Sequence, residues 1–201
     1  MVRSERADAT RNREAILSAA AELFDREGVP DVSMSDIAAA AGVGKGTVFR
    51  RFGDRTALIQ AVIEPRVSAL RAAVESGPPP LGPGATPDEA LHAYLDALFD
   101  FVRANRGLIR ALEHRGPYAY YANPASRFWI EELARRLGRA RPGDDADYLA
   151  HAVFTALRAD VIDYLVTARG VAPERIRAGL HTLALPASPP PPGQPPAGAA
   201  P

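Results

Sequence analysis

Cysteine is missing from the 201-residue chain, so disulfides, thiolate zinc sites and thiol nucleophiles are excluded together. Lysine is nearly missing as well: of 24 basic residues only Lys45 is a lysine. No apolar run approaches the length that spans a bilayer, and the N-terminus, MVRSERADATRNRE, is charged with no apolar stretch behind it. A cytoplasmic protein with no membrane contact is expected. The four histidines, His92, His114, His151 and His181, contain no pair one helical turn apart, so no metal site is expected. GVGKGT lacks the spacing of a nucleoside-triphosphate loop, because its glycines and lysine follow a helical pattern rather than a strand, and no serine nucleophile elbow occurs. No catalytic residue and no cofactor is therefore assigned. Net charge is missing too, at a formal zero, which at first argues against a nucleic-acid partner.

What the chain does contain is organised around Ser33 to Phe52, SMSDIAAAAGVGKGTVFRRF. Ser33 and Asp36 have capping-box spacing, so a helix is predicted to start there and run through Ala41, where Gly42 can end it in the left-handed conformation. A second helix begins near Gly44 or Lys45, with Val48 and Phe52 one turn apart on its buried face. Ile37, Val43 and Val48 form the seam of what reads as a helix-turn-helix. Lys45, Gly46, Thr47, Phe49, Arg50 and Arg51 are left for solvent. Cations, a hydroxyl and an aromatic on one face suit a DNA groove. The zero net charge does not oppose this, since Ala41 to Arg55 carries four cations against one anion, Asp54.

The flanking pattern is helical throughout. Residues 1–9 read as a flexible arm. A helix from Thr10 to Glu27 then places Ile16, Leu17, Ala20, Leu23 and Phe24 on one face, with Arg11 and Arg13 in its first turn. Asp54 caps a fourth helix that Pro65 should bend. Leu58 and Val62 would face the preceding module, and Val67, Leu70 and Val74 whatever follows. GPPPLGPGATP, with five prolines and three glycines, is a linker. Thr86, Pro87 and Glu89 start a fifth helix, apolar around more than half its girth. A short helix from Gly107 to about Arg115, a loop with three tyrosines, and a helix from Asn123 to Arg139 follow. A long helix, capped by Asp144, is expected to reach Arg169, and a last one spans Pro173 to Leu185. Residues 186–201, half proline, cannot fold alone and read as a disordered tail.

At Thr10 to Ile63 the chain resembles the DNA-binding domain of the TetR family of bacterial transcriptional repressors. The likeness is sharpest over IAAAAGVGKGTVFRRFGDRTALI. Family members usually carry Tyr where this chain has Phe49, which removes a hydroxyl that could reach a phosphate. The resemblance implies an all-α fold of about nine helices. Residues 10–53 would form a three-helix DNA-binding domain, joined by helix 4 (54–76) to a ligand-binding and dimerisation domain (77–185). It implies a homodimeric regulator on double-stranded DNA, a repressor released from a palindromic operator by a small-molecule effector. Lys45, Gly46, Thr47 and Arg50 would contact DNA, with Ser33, Phe49 and Arg55 at or near phosphates and Arg11 and Arg13 approaching the backbone. The last two helices would pair with their copies in a four-helix interface.

A sensing module needs an apolar pocket with a few polar groups. Tyr94, Phe99, Tyr121, Phe128, Trp129, Phe154 and Arg158 are the candidates for lining it, against the competing reading that most of these aromatics are core. Arg158 and Asp160 fall inside an apolar helical run, where a buried charge needs a partner or a ligand; an ion pair at the surface or in a dimer interface is the competing account. Two other functions stay open on sequence alone: a DNA-binding regulator without a small-molecule effector, and an enzyme with a vestigial DNA-binding domain.

Overall fold

The computed structural model describes residues 2–113 and 118–185, with side chains from residue 8 onward. The expected Pro-rich tail lies outside the described residues. Among those described there are twelve helical segments and no strand. α1 is Val2–Glu27, α2 Met34–Ala40, α3 Lys45–Phe52, α4 Arg55–Ser76, α5 Pro87–Ala104, α6 Arg106–Glu113, α7 Ala119–Ala122, α8 Pro124–Ala140, α9 Ala146–Ala156 and α10 Ala159–Asp163. A π-helical segment, Tyr164–Ala168, and α11, Pro173–Ala184, complete the chain.

Local chemistry accounts for several of the helix ends. Ser33 Oγ accepts from the amides of Ser35 and Asp36, both at 3.2 Å, and Asp36 returns the bond by accepting from the Ser33 amide at 2.8 Å. Gly42, at φ +65°, turns the chain out of α2. Asp54, Thr86, Asn123 and Asp145 cap α4, α5, α8 and α9 through their side-chain oxygens.

Four expectations change. Residues 2–9, expected as an arm, are helical: α1 begins at Val2, because neither Pro nor Gly interrupts residues 2–9 and Glu, Arg and Ala there are good helix formers. The tyrosine loop contains a helical turn, α7. Asp145 rather than Asp144 caps α9. The long helix to Arg169 is also broken: Arg158 turns extended at ψ 136°, and a new helix starts at Ala159. The break is held by one tertiary contact, which periodicity does not encode, and one local ion pair. Glu113 of α6 accepts from the Ala159 amide at 3.4 Å, and the Arg158 guanidinium pairs with Asp160 at 2.7 Å.

Two buried clusters divide the molecule. One joins Ile16, Ala20 and Phe24 of α1, Ile37 of α2, Val48 and Phe52 of α3 and the first half of α4, from Leu58 to Ile63. The other joins Val74 at the end of α4 with α5, α8, α9 and α11. α4 passes through Pro65 as one uninterrupted helix, and Val67 packs against both clusters. α4 is not the sole link between the two clusters. Leu108 of α6 is buried in the first cluster, and the Val29 side chain lies 3.3 Å from where a Cβ on Gly107 would sit. Arg66 adds a polar clamp, donating to Asn105 at 2.7 Å and to Asp25 of α1 at 3.1 Å.

Candidate nucleic-acid interface

The helix pair α2–α3 is fixed from below and open above. Ile37 and Val48 are fully buried, so the orientation of α3 is set by its apolar stripe, and the residues between face solvent. Lys45, Gly46, Phe49, Arg50 and Arg51 are exposed and Thr47 half-exposed. Arg50 donates to Thr47 Oγ1 at 3.2 Å, which holds its guanidinium along the helix surface. The Lys45 ammonium lies 5.9 Å from the Phe49 ring centroid, and that ring stays 41% exposed. The Phe49 ring belongs to neither buried cluster of the described residues. A Cβ on Gly46 would meet nothing within 4 Å, so internal packing does not demand glycine there. α3 itself carries three cations and no carboxylate. This face can neutralise phosphates and present a hydroxyl, a methyl and an aromatic edge to bases.

The other predicted contacts are placed differently. Ser33 is exposed at the start of α2 and uses its hydroxyl as the cap. Its bonds to Asp36 hold that carboxyl below the ordinary carboxylate range, chiefly through the side-chain bond. Arg55 is turned inward: its guanidinium donates to the carbonyls of Val29 and Val32 and lies 5.7 Å from the Phe24 ring centroid. It ties the start of α4 to the loop between α1 and α2. Arg13 stacks on Phe52 at 4.8 Å and Arg11 pairs with Asp8; with α1 extended, both sit within the helix rather than at its first turn.

The predicted ligand set divides into two places. Tyr94 and Phe99 are fully buried and Trp129 nearly so, with the Tyr94 hydroxyl donating to the Trp129 carbonyl at 2.9 Å; Phe128 meets Trp129 edge-on at 4.8 Å. Burial pushes the Tyr94 hydroxyl well above its ordinary pKa. Tyr94, Phe99 and Trp129 are core, and Phe128 is half-buried against them. Tyr121, Phe154 and Arg158 gather instead around Tyr120, whose ring lies 5.0 Å from Phe154 and 4.9 Å from the Arg158 guanidinium. Tyr121 meets Tyr120 edge-on and shares a 2.9 Å hydrogen bond with Thr155. The Arg158–Asp160 ion pair satisfies the charges that sequence left open.

Sequence spacing missed one cluster. His92 and His181, on α5 and α11, meet through their Nδ1 atoms at 2.5 Å, and His181 Nε2 lies 2.8 Å from Asp96. Residues 89 apart meet only because α11 docks on α5, so no local signal could have found them. Among the described residues no group of three His, Cys, Asp or Glu is arranged to hold a metal ion, and no helix is long and apolar enough to cross a membrane.

Residues 16–62 match the sequence model of a family described as bacterial regulatory proteins, tetR family. An HTH-type transcriptional regulator of Staphylococcus aureus (strain USA300) is 46% identical over 59 residues, 29% of this chain and 32% of that protein. The chain thus matches about a third of the length of the curated relatives it resembles. Two solved structures extend the likeness of fold over most of the chain. A TetR/AcrR family regulator from Thermobifida fusca has a TM-score of 0.64 at 19% identity, covering 88% of this chain and 98% of its own. A protein from Saccharomonospora viridis, solved in complex with choline, has a TM-score of 0.64 at 21% identity, covering 84% and 92%.

Proposed function

We propose, from the match of residues 16–62 to the tetR family model, that the chain is a homodimeric repressor released from a palindromic operator by a small-molecule effector. The observation that carries the DNA half is the outward face of α3, where Lys45, Gly46, Phe49 and Arg50 are exposed and Thr47 half-exposed, with no carboxylate on the helix. One recognition helix covers only a few base pairs, so two copies about one turn of DNA apart supply the specificity. Choline in the S. viridis protein supports a small-molecule effector by analogy of fold, without naming the ligand of this chain.

The test is selection of DNA fragments by the purified chain, followed by titration of the selected site. Lys45→Ala and Arg50→Ala should each weaken binding by about 1–3 kcal/mol if they read bases, with the loss confined to particular positions. A loss spread evenly over all sequences, with a shallower salt dependence, would assign the residue to a phosphate instead. Unchanged affinity in both variants at moderate salt would remove α3 from the interface.

A further inference from the structure

A cleft opens at the end of the molecule where α4 finishes. It encloses about 310 Å³ between the last turn of α4 (Val74 and Glu75), the loop 82–85, the start of α5 (Pro87 and Ala90) and the α8 face bearing Glu132, Arg135, Arg136 and Arg139. None of the aromatics predicted from sequence lines it. Such a volume is at the small end for ligand sites and suits a compact molecule.

Its charge is unbalanced. Three arginines and two carboxylates line it, and one of those carboxylates, Glu75, is engaged at 3.0 Å by Arg71, which is not among the lining residues. Glu132 is shared: Arg135 bonds it at 2.9 and 2.5 Å, and Arg136 at 2.6 Å. Glu89, in the first turn of α5 nearby, turns its carboxylate back onto Thr86. Arg136 is 5% exposed and also donates to the carbonyls of Ala90 at 2.6 Å and Leu81 at 2.7 Å. Those bonds fix the buried guanidinium and pin the proline-rich loop over it. Arg139 is exposed and makes no hydrogen bond or ion pair among the described residues. A rigid arginine, a half-neutralised one and an unpaired one, spaced along one helix face, form a cation set with surplus positive charge. Guanidinium groups recognise carboxylate and phosphate oxygens in paired geometry.

We propose that this cleft binds a small organic anion, one bearing two or more carboxylates or a phosphate. As a binding site this stands on the cleft alone; as the class of the effector it rests on the ligand-responsive reading above. The connection to DNA would be short, because Val74 and Glu75 end the same helix whose Leu58 and Val62 pack in the DNA-binding module.

Titration of the full chain, without DNA, with citrate and separately with inorganic phosphate tests the site. Saturable binding of either anion, weakened about tenfold or more in Arg139→Gln and in Arg135→Gln, is expected, since each removes a charge-assisted contact. Arg139 is free of internal contacts, so its variant keeps the test valid even if loss of Arg135 disturbs Glu132. Arg169→Gln, an exposed arginine outside the cleft, should bind the anion like the parent. No saturable binding, or equal weakening in Arg169→Gln and Arg139→Gln, overturns the site. A second titration, of the selected DNA in the presence of the bound anion, separates the two claims: saturable binding with unchanged DNA affinity keeps the site and overturns its role as effector site.

Discussion

Individual arginines in this chain do different work according to what their guanidinium can reach. Arg50 is exposed on α3 with one bond to Thr47, whereas Arg55, five residues on, is spent on the carbonyls of Val29 and Val32. Charge-assisted bonds of that kind contribute more than neutral ones, and removing the donor leaves two carbonyls unpaired. Arg55→Ala should therefore lower unfolding stability by about 2 kcal/mol in urea titration. By contrast, Lys45→Ala should stay within about 0.5 kcal/mol of the parent, as exposed substitutions usually do. If Arg55→Ala unfolds like the parent, the inward position of the side chain is not its solution state.

Helices are held by polar contacts as well as by their apolar stripes, and the docking of α11 on α5 shows the sign of one pH effect. Burial alone would raise the Asp96 carboxyl, but hydrogen bonds from Arg177 at 2.9 Å and His181 at 2.8 Å outweigh it, and the folded pKa lies below the ordinary 3.8. A depressed folded pKa gives stability that is full above the unfolded value and is lost as pH falls through the folded one. Asp96→Asn should thus flatten the acid side of the stability profile below about pH 4, while leaving its neutral side parallel to the parent. An unchanged acid limb would remove Asp96 from the linkage. Within α4, Pro65 removes one backbone hydrogen bond in the helix that both clusters share. Pro65→Ala should alter a ligand's effect on DNA affinity more than it alters ligand binding measured without DNA. Equal coupling in variant and parent would place the transmission elsewhere, with the Arg66 clamp and α6 as the alternative route.

The whole molecule leaves large apolar side chains uncovered on its last elements: Tyr148 is 70% exposed, Tyr164 53% and Leu183 44%. They stand on α9, the π-helical segment and α11, the part of the chain proposed to pair with its copy. Leu183 belongs to neither buried cluster, so Leu183→Asp should leave each subunit folded while placing a charge in the interface. Light scattering should then find a dimer for the parent and a monomer for the variant, and circular dichroism should find the helix content unchanged. A dimeric variant would move the interface off α11.

Sequence alone determined what depends on neighbours along the chain. The caps at Ser33, Asp54 and Thr86, the left-handed turn at Gly42 and the apolar stripe through Val48 and Phe52 follow from short-range chemistry. So does the cationic face that these leave outward on α3. Tertiary structure decided everything that depends on which helix lies beside which. The break at Arg158 needs Glu113 from α6, and the meeting of His92 with His181 needs α11 against α5. The inward turn of Arg55 needs the carbonyls of a loop more than twenty residues earlier, and the arginine cleft needs the proline-rich loop folded over α8. Periodicity records which face of a helix is apolar but carries no address for the partner that covers it. Polar contacts between distant residues therefore become visible only once the helices are packed.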